Sequence, residues 1–138
     1  MSKKGEVSVK AEQIDHIVLT TTALKRCLHF YRDLLGLPVE EYEGRYSIRL
    51  GTSKINIHTR AAEFEPAAFY PLSGSLDFCI RVDGDIHEVK KELIARGAVL
   101  ERDIVQRHGT LGPIQSIYLR DPDGNLVELG FYGNGENK

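Results

Sequence analysis

The chain repeats one order of secondary-structure elements, and this repeat constrains the fold more than any other feature. Each copy begins with a strand, continues into a helix and ends in further strands; the first opens at residues 14–19 and the second at residues 75–80. Ionisable side chains interrupt otherwise apolar strands at His16, Asp77 and Glu128. Because a folded repeat brings its copies together, we expect these side chains to surround one site.

The length of the chain predicts one domain. A chain of 138 residues buries roughly two-thirds of its unfolded surface, which is enough for a hydrophobic core. We predict a single domain over residues 1–138, with a first module at about 13–60 and a second at about 74–132. The polar ends, residues 1–12 and 133–138, are expected to fray.

Composition narrows the function classes. The net charge is −2 and no basic stripe interleaved with aromatics is present, so nucleic acid is not an expected partner. No apolar run of about 18 residues occurs, and the basic residues at 1–5 precede no apolar segment, so we predict a cytoplasmic protein that makes no membrane contact. The two cysteines, Cys27 and Cys79, lie in apolar-periodic segments and are expected to be free thiols.

Hydrophobic spacing locates the helices and turns. Apolar residues three and four apart predict helices over residues 24–35 and 86–96, with Thr21 or Thr22 capping the first. Residues 121–125 (DPDGN) form a strong turn signal, because proline fixes φ while glycine and asparagine accept positive φ. Strands are predicted at residues 14–20, 38–42, 46–50, 54–58, 76–82, 99–105, 114–120 and 126–132.

Strand parity selects the candidate ligands. Successive side chains alternate across a strand, so Asn56 and His58, Asp77, and Glu128 each oppose the apolar face of their strand, while His16 lies on a face that is otherwise apolar. If the strands curl into a cup, His16, Asn56 or His58, Asp77 and Glu128 point into one cavity. Imidazole and two carboxylates suit a divalent metal such as nickel, zinc, manganese or iron.

Each of these residues also has a purely structural explanation. A single histidine in a strand is commonly hydrogen-bonded in the core or at the surface. Asp77 is able to pair with Arg81, two residues along the same face. Parity alone leaves both explanations open, since convergence of the side chains requires a fold.

Longer motifs resemble a known superfamily. They are the duplicated βαβββ plan, the early His16, residues 30–37 (FYRDLLGL) and residues 118–128 (YLRDPDGNLVE). Together they resemble the vicinal oxygen chelate superfamily, which includes glyoxalase I, bleomycin-resistance proteins and extradiol dioxygenases. Within it, residues 54–58, 63–66, 71–77 and 112–118 resemble a small glyoxalase-domain subgroup that includes a virulence-associated bacterial protein. The resemblance implies an α+β fold in which two βαβββ modules form an open, eight-stranded, barrel-like sheet with the helices outside.

The resemblance also implies roles for individual residues. His16 matches the first-strand metal ligand and Glu128 the closing glutamate, whereas Asp77 stands where the second module usually has a histidine. Asn56 stands where glyoxalase I has its other glutamate, and His58, facing the same way, would compensate as a ligand. Glu128 is then both a metal ligand and the catalytic base.

The implied function is that of a divalent-metal-dependent lyase or isomerase of the glyoxalase type, acting on a small oxygenated metabolite as a homodimer. Arg81 and Tyr118 are expected to hold an anionic or oxygen-rich substrate, and His108, in a predicted loop at 107–110, to line the mouth of the cavity. One alternative is a metal-free ligand-sequestering protein of the bleomycin-resistance type. Another is an iron(II) ring-cleaving dioxygenase, which requires His58 as a ligand.

Overall fold

The fold consists of two modules with the same order of strands around a helix. The computed structural model describes residues 8–133; the ends at 1–7 and 134–138, part of the segments expected to fray, lie outside it. The first module contains β1 (His16–Thr20), α1 (Leu24–Leu28), β2 (Val39–Tyr42), β3 (Arg45–Leu50) and β4 (Ser53–His58). The second contains β5 (Asp77–Arg81), α2 (Ile86–Ala95), β6 (Arg102–Gly109), β7 (Gly112–Arg120) and β8 (Leu126–Phe131).

Each module forms its own mixed sheet of four strands. The strand orders are β1-β4-β3-β2 and β5-β8-β7-β6, so the first strand of each module lies beside its last. The β1–β4 and β5–β8 pairs are parallel, and all other neighbouring strands are antiparallel. The predicted α+β fold of two βαβββ modules is confirmed, and its eight strands lie in two four-stranded sheets that do not close into a barrel.

One face of each sheet packs under the helices. Ile55 and Ile57 of β4 are buried while Asn56 and His58 between them are only half-buried, which confirms the predicted alternation. The same pattern places Val127 and Leu129 of β8 in the core, whereas Glu128 between them is half-buried on the other face. Burial of each such side chain stabilises the fold by about 1.5–3 kcal/mol. The side of each sheet away from the helices is called its open face below.

The first helix differs from its prediction. The α-helix ends at Leu28, and the chain continues as a π-helical segment (His29–Leu34), in which the amide of Leu35 donates to the carbonyl of Phe30 at 3.0 Å. This wider turn keeps both Phe30 and Tyr31 buried, at 7% and 0% exposure. The predicted side-chain cap is also absent within the described residues, because the residue before the helix is Ala23.

The turn between β7 and β8 joins the two modules. Asp123 accepts hydrogen bonds from the hydroxyls of Thr21 (2.5 Å) and Thr22 (2.8 Å), at the entry to α1. Asp121 accepts one from the Tyr31 hydroxyl at 2.7 Å, in the π-helical segment that follows α1. The predicted turn signal therefore also carries the main polar contacts between the modules.

Strand β6 is longer than predicted and lies further along the chain. It begins at Arg102 rather than at residue 99 and reaches Gly109, so His108 lies in a strand and the loop expected at 107–110 was wrong. The hairpin turn lies at residues 110–111. The pairing of β6 with β7 shifts register between Arg102 and Val105, which marks a β-bulge.

No helix in the described part of the chain is both long enough and apolar enough to cross a membrane.

Candidate active site

The first half of the candidate site lies on the open face of the first sheet. Along the parallel ladder His16 pairs with Lys54, Val18 with Asn56 and Thr20 with His58. Asn56 lies two positions beyond Lys54, the ladder partner of His16, and is therefore a diagonal neighbour of His16. His58 lies four positions beyond Lys54, at about 13 Å along the strand. The His58 ring also meets the Phe64 ring edge-on, with 5.2 Å between the centroids. The register thus favours Asn56 over His58 as a partner for His16.

The His16 ring is oriented by a carboxylate. Its Nδ1 lies 2.8 Å from Oδ1 of Asp15, and its side chain is 48% exposed. The hydrogen bond from His16 lowers the pKa of Asp15 below its usual value, so the carboxylate is ionised at neutral pH and accepts the Nδ1 proton. In the neutral imidazole with the proton on Nδ1, the other ring nitrogen, Nε2, carries the lone pair. A histidine held by a carboxylate in this way is the usual arrangement of a metal-ligating imidazole.

The second half lies on the open face of the second sheet. In the parallel β5–β8 ladder Asp77 pairs with Leu126 and Cys79 with Glu128. Ser116 of β7 is fully buried and donates its hydroxyl proton to Oε2 of Glu128 at 2.5 Å. The serine holds one carboxylate oxygen in place, and the Cys79 thiol also hydrogen-bonds to the Glu128 carboxylate.

The two halves occupy equivalent positions of the repeat. His16 is the first residue of the first strand, and Asn56 lies two residues beyond its ladder partner on the last strand. Asp77 is likewise the first residue of its strand, and Glu128 lies two residues beyond its ladder partner. Each module therefore presents one diagonal pair of candidate metal-binding side chains. We refer to these two pairs as the half-sites.

Residues of the two half-sites line separate open cavities in one chain, although His16 lines neither of them. Asn56 and His58 line a cavity of about 310 Å³ on the first sheet. Asp77 and Glu128 line one of about 440 Å³ on the second. Among residues 8–133 no group of three or more His, Cys, Asp or Glu side chains is close enough to hold a metal ion. Four of the five predicted ligands form the two half-sites, and the fifth, His58, lies two residues from Asn56. Their imidazole, amide and carboxylate groups are of the kind that bind divalent metals.

The residues predicted to bind substrate lie on the second sheet. The Arg81 guanidinium stacks over the Tyr132 ring at 4.9 Å, and no ion pair joins it to Asp77 within the described chain. His108 and Arg81 line a third cavity, which Glu128 also borders. Tyr118 lies beside Glu128 on the adjacent strand and accepts a hydrogen bond from Arg107.

The thiol of Cys79 provides a test of the second half-site. Burial raises the pKa of Cys79 to about 11, and the facing carboxylate of Glu128 contributes. At pH 8.5 we expect iodoacetamide to alkylate Cys79 about 100-fold more slowly than a free thiol. Glu128→Gln removes the charge and should accelerate the reaction several-fold, as followed by mass spectrometry.

Cys27 is an internal control for this experiment. It is fully buried, and burial raises its pKa to about 12, so it should stay unmodified in both proteins. Equal rates of Cys79 alkylation in the two proteins would show that Glu128 does not face the thiol.

A family model decides the classification. The Glyoxalase/Bleomycin resistance protein/Dioxygenase superfamily model matches residues 13–129, nearly all of the two modules. The chain belongs to this superfamily. Its members commonly use divalent metals, typically bind small molecules and often form dimers.

Individual members of the glyoxalase superfamily resemble the chain over most of its length. Virulence protein STM3117 of Salmonella typhimurium is 38% identical over 88% of this chain and 85% of its own. Its crystal structure gives a TM-score of 0.85, covering 91% of this chain and 100% of that one. Glyoxalase domain-containing protein RDO1 of Mycosarcoma maydis is 39% identical over 94% of this chain and 73% of its own. Lactoylglutathione lyase of Agrobacterium tumefaciens gives a TM-score of 0.67 at 25% identity, covering 88% and 95%.

Sequence reasoning about this superfamily member missed the residues that support the ligands. Asp15 orients His16, and Ser116 orients Glu128. Asp15 was detectable as a carboxylate adjacent to a candidate ligand. Ser116 was not, because its contact depends on the register between β7 and β8, which local patterns do not specify.

Proposed function

We propose that the chain is a divalent-metal-dependent lyase or isomerase of the glyoxalase type, acting on a small oxygenated metabolite. The equivalent placement of the two half-sites carries this proposal: each module offers one diagonal pair of donors on an open face. A repeat that duplicated only a packing motif would have no reason to retain donors at matching positions. The similarity to lactoylglutathione lyase supports lyase chemistry.

The proposed ligands are His16, Asn56, Asp77 and Glu128, with His58 as the alternative to Asn56. When bound, a divalent metal supplies Lewis-acid polarisation of a substrate oxygen. Glu128 is suited to accept the substrate proton, because Ser116 fixes its Oε2 and the carboxylate lies on the open face, beside the cavity. Asn56 has no proton-accepting group, so the proton is expected to move on the Glu128 side alone.

We further propose that two copies of the chain complete the site, with the first half-site of one copy facing the second half-site of the other. Separate cavities within one chain support this arrangement. The segment between the modules also leaves Phe69 and Tyr70 95% and 79% exposed, as expected of side chains that a partner covers. Each copy is expected to act as one domain with modules at about 13–60 and 74–132.

Metal content tests the proposed function. Untagged protein should contain about one equivalent per chain of nickel, zinc, manganese or iron, measured by inductively coupled plasma mass spectrometry. Glu128→Gln should weaken binding by at least about 100-fold, since it removes a ligand. Ser116→Ala removes only the group that orients this ligand and should weaken binding by about 10-fold.

Glu88→Gln is the matched control, because Glu88 is exposed on α2 and lines none of the cavities that contain half-site residues. It should retain the full metal content. If wild-type protein holds no metal after incubation with each of the four ions, the metal-dependent function is wrong and ligand sequestration becomes the function to test.

A further inference from the structure

The cavity beside Glu128 is bordered by three arginines and three carboxylates. It is an open groove of about 440 Å³ on the second sheet. Two carboxylates of the second half-site lie along one side. Its lining residues are Asp77, Glu101, Arg102, Arg107, Tyr118, Arg120, Leu126 and Glu128.

The β-bulge in β6 brings two of these arginines to the same face. Arg102 and Arg107 are five positions apart, so regular alternation would point them to opposite faces of the sheet. The register shift inserts one extra residue between them and restores the second arginine to the open face. The ladder partners on β7 are Tyr118 for Arg102, Ser116 for Val105 and Ile114 for Arg107. The bulge thus re-aims Arg107 toward the cavity that Arg102 also lines.

The hydrogen-bonding groups of this cluster are only partly used. Arg107 donates from Nε to the Tyr118 hydroxyl at 3.0 Å, and its Nη groups donate to nothing in the described chain. Arg102 has neither a hydrogen bond nor an ion pair among residues 8–133. Because the Tyr118 oxygen accepts from Arg107, its own proton is available to a third group. Several donors therefore face the cavity together.

Two of the three arginines that line the cavity make no ion pair with a carboxylate in the described part of the chain. Arg120 is neutralised, since its Nε lies 3.4 Å from the Glu101 carboxylate and its Nη1 donates to the Gly124 carbonyl. The remaining carboxylates of the cavity, Asp77 and Glu128, belong to the half-site. Arg102 and Arg107 share the cavity with these carboxylates but form no ion pair with them among residues 8–133.

The spacing between the arginines and Glu128 suits a small molecule. Arg102 pairs with Tyr118 and Tyr118 with Glu128, so two strand spacings, about 10 Å, separate the first from the last. An arginine side chain covers much of this distance. A molecule of a few bonds would therefore place one group at the guanidinium and another beside the Glu128 carboxylate.

We propose that Arg102, Arg107 and the Tyr118 hydroxyl form an anion subsite, so that the substrate is a small oxygenated molecule carrying a carboxylate or phosphate group. The proposal deepens the proposed function and rests on it. Guanidinium groups bind both oxyanions through paired N–H donors, and these charge-assisted bonds are stronger than neutral ones. The group that reacts lies at the Glu128 end and the anionic group at the Arg102 end.

Titration of the full-length protein after metal removal tests the subsite. Malonate, inorganic phosphate and neutral malonamide are added separately, and binding is followed by calorimetry and by NMR signals of the arginine side chains. We expect saturable binding of an anion but not of malonamide, with Arg102→Gln and Arg107→Gln each weakening it by about 10-fold. Tighter binding of malonate identifies a carboxylate site, and tighter binding of phosphate identifies a phosphate site.

Arg60→Gln is the control, because Arg60 is exposed after β4 and lines none of the three cavities that contain the half-site residues. It should bind anions as the wild type does. Equal binding of malonate and malonamide, or unchanged anion binding in Arg102→Gln, overturns the subsite.

Metal content measured on the same preparations separates the two proposals. If metal content is normal but Arg102→Gln binds anions as tightly as the wild type, the subsite is refuted and the metal-dependent function is not. Arginine-dependent anion binding without metal in the wild type refutes the metal-dependent function and leaves the subsite standing.

Discussion

Chains carrying His16→Ala, refolded together with chains carrying Glu128→Gln, should regain metal binding that neither variant shows alone. In a dimer whose sites each combine the first half-site of one copy with the second of the other, each pure variant has two defective sites. A mixed dimer has one site with both substitutions and one with neither. Equal mixing should therefore restore about a quarter of the wild-type metal content, as expected for random pairing in a two-fold dimer.

The measurement is metal content after joint unfolding and refolding, with the separately refolded variants as controls. Light scattering on a sizing column should give twice the 15.5 kDa mass of one chain for wild type and variants. If a dimer forms but the mixture holds no more metal than its components, the half-sites do not combine across copies. A monomer would contradict the composite site directly.

Asp121→Ala should destabilise the protein more than any other substitution in the turn between β7 and β8. Asp121 is 4% exposed, and its carboxylate accepts four hydrogen bonds. The donors are the Tyr31 hydroxyl (2.7 Å), the Asp123 amide (3.0 Å), and the amide (2.9 Å) and side chain (2.8 Å) of Asn125. Burial and the Asp121 carboxylate raise the pKa of Tyr31, which therefore stays protonated and donates.

Removing the carboxylate leaves these buried donors without an acceptor, which should cost about 3–5 kcal/mol of unfolding free energy. The midpoint of thermal unfolding should fall by about 10–15 °C, measured by circular dichroism. Tyr31→Phe removes one donor and leaves the acceptor satisfied, so its cost should be about 1–2 kcal/mol. Asp83→Ala, at an exposed position, should stay within about 0.5 kcal/mol of wild type. A similar small effect for Asp121→Ala would show that the turn does not hold the modules together.

Much of the fold was predictable from local patterns. The alternation of Ile55 and Ile57 with Asn56 and His58 depends only on strand parity, and the structure shows it. The turn at 121–125 was equally clear, because proline, glycine and asparagine restrict or permit particular backbone angles locally. The candidate ligands followed from the same parity, applied to polar side chains in apolar strands.

Other features depend on contacts between distant segments. The choice between Asn56 and His58 requires the β1–β4 register, and local sequence does not specify which residues of two strands face each other. The bulge that turns Arg107 toward Arg102 is likewise invisible to parity, which assigns these two residues to opposite faces. The grouping of eight strands into two sheets is set by packing of the whole chain.

The parallel pairing of β1 with β4 and of β5 with β8 has a consequence for folding kinetics. Each pair joins residues roughly 40 and 50 positions apart, so most of a module must be ordered before its outer ladder forms. The donors of each half-site lie across that last ladder. We therefore expect partly folded chains to capture no metal, and metal uptake to begin only after both modules are complete and two copies have paired.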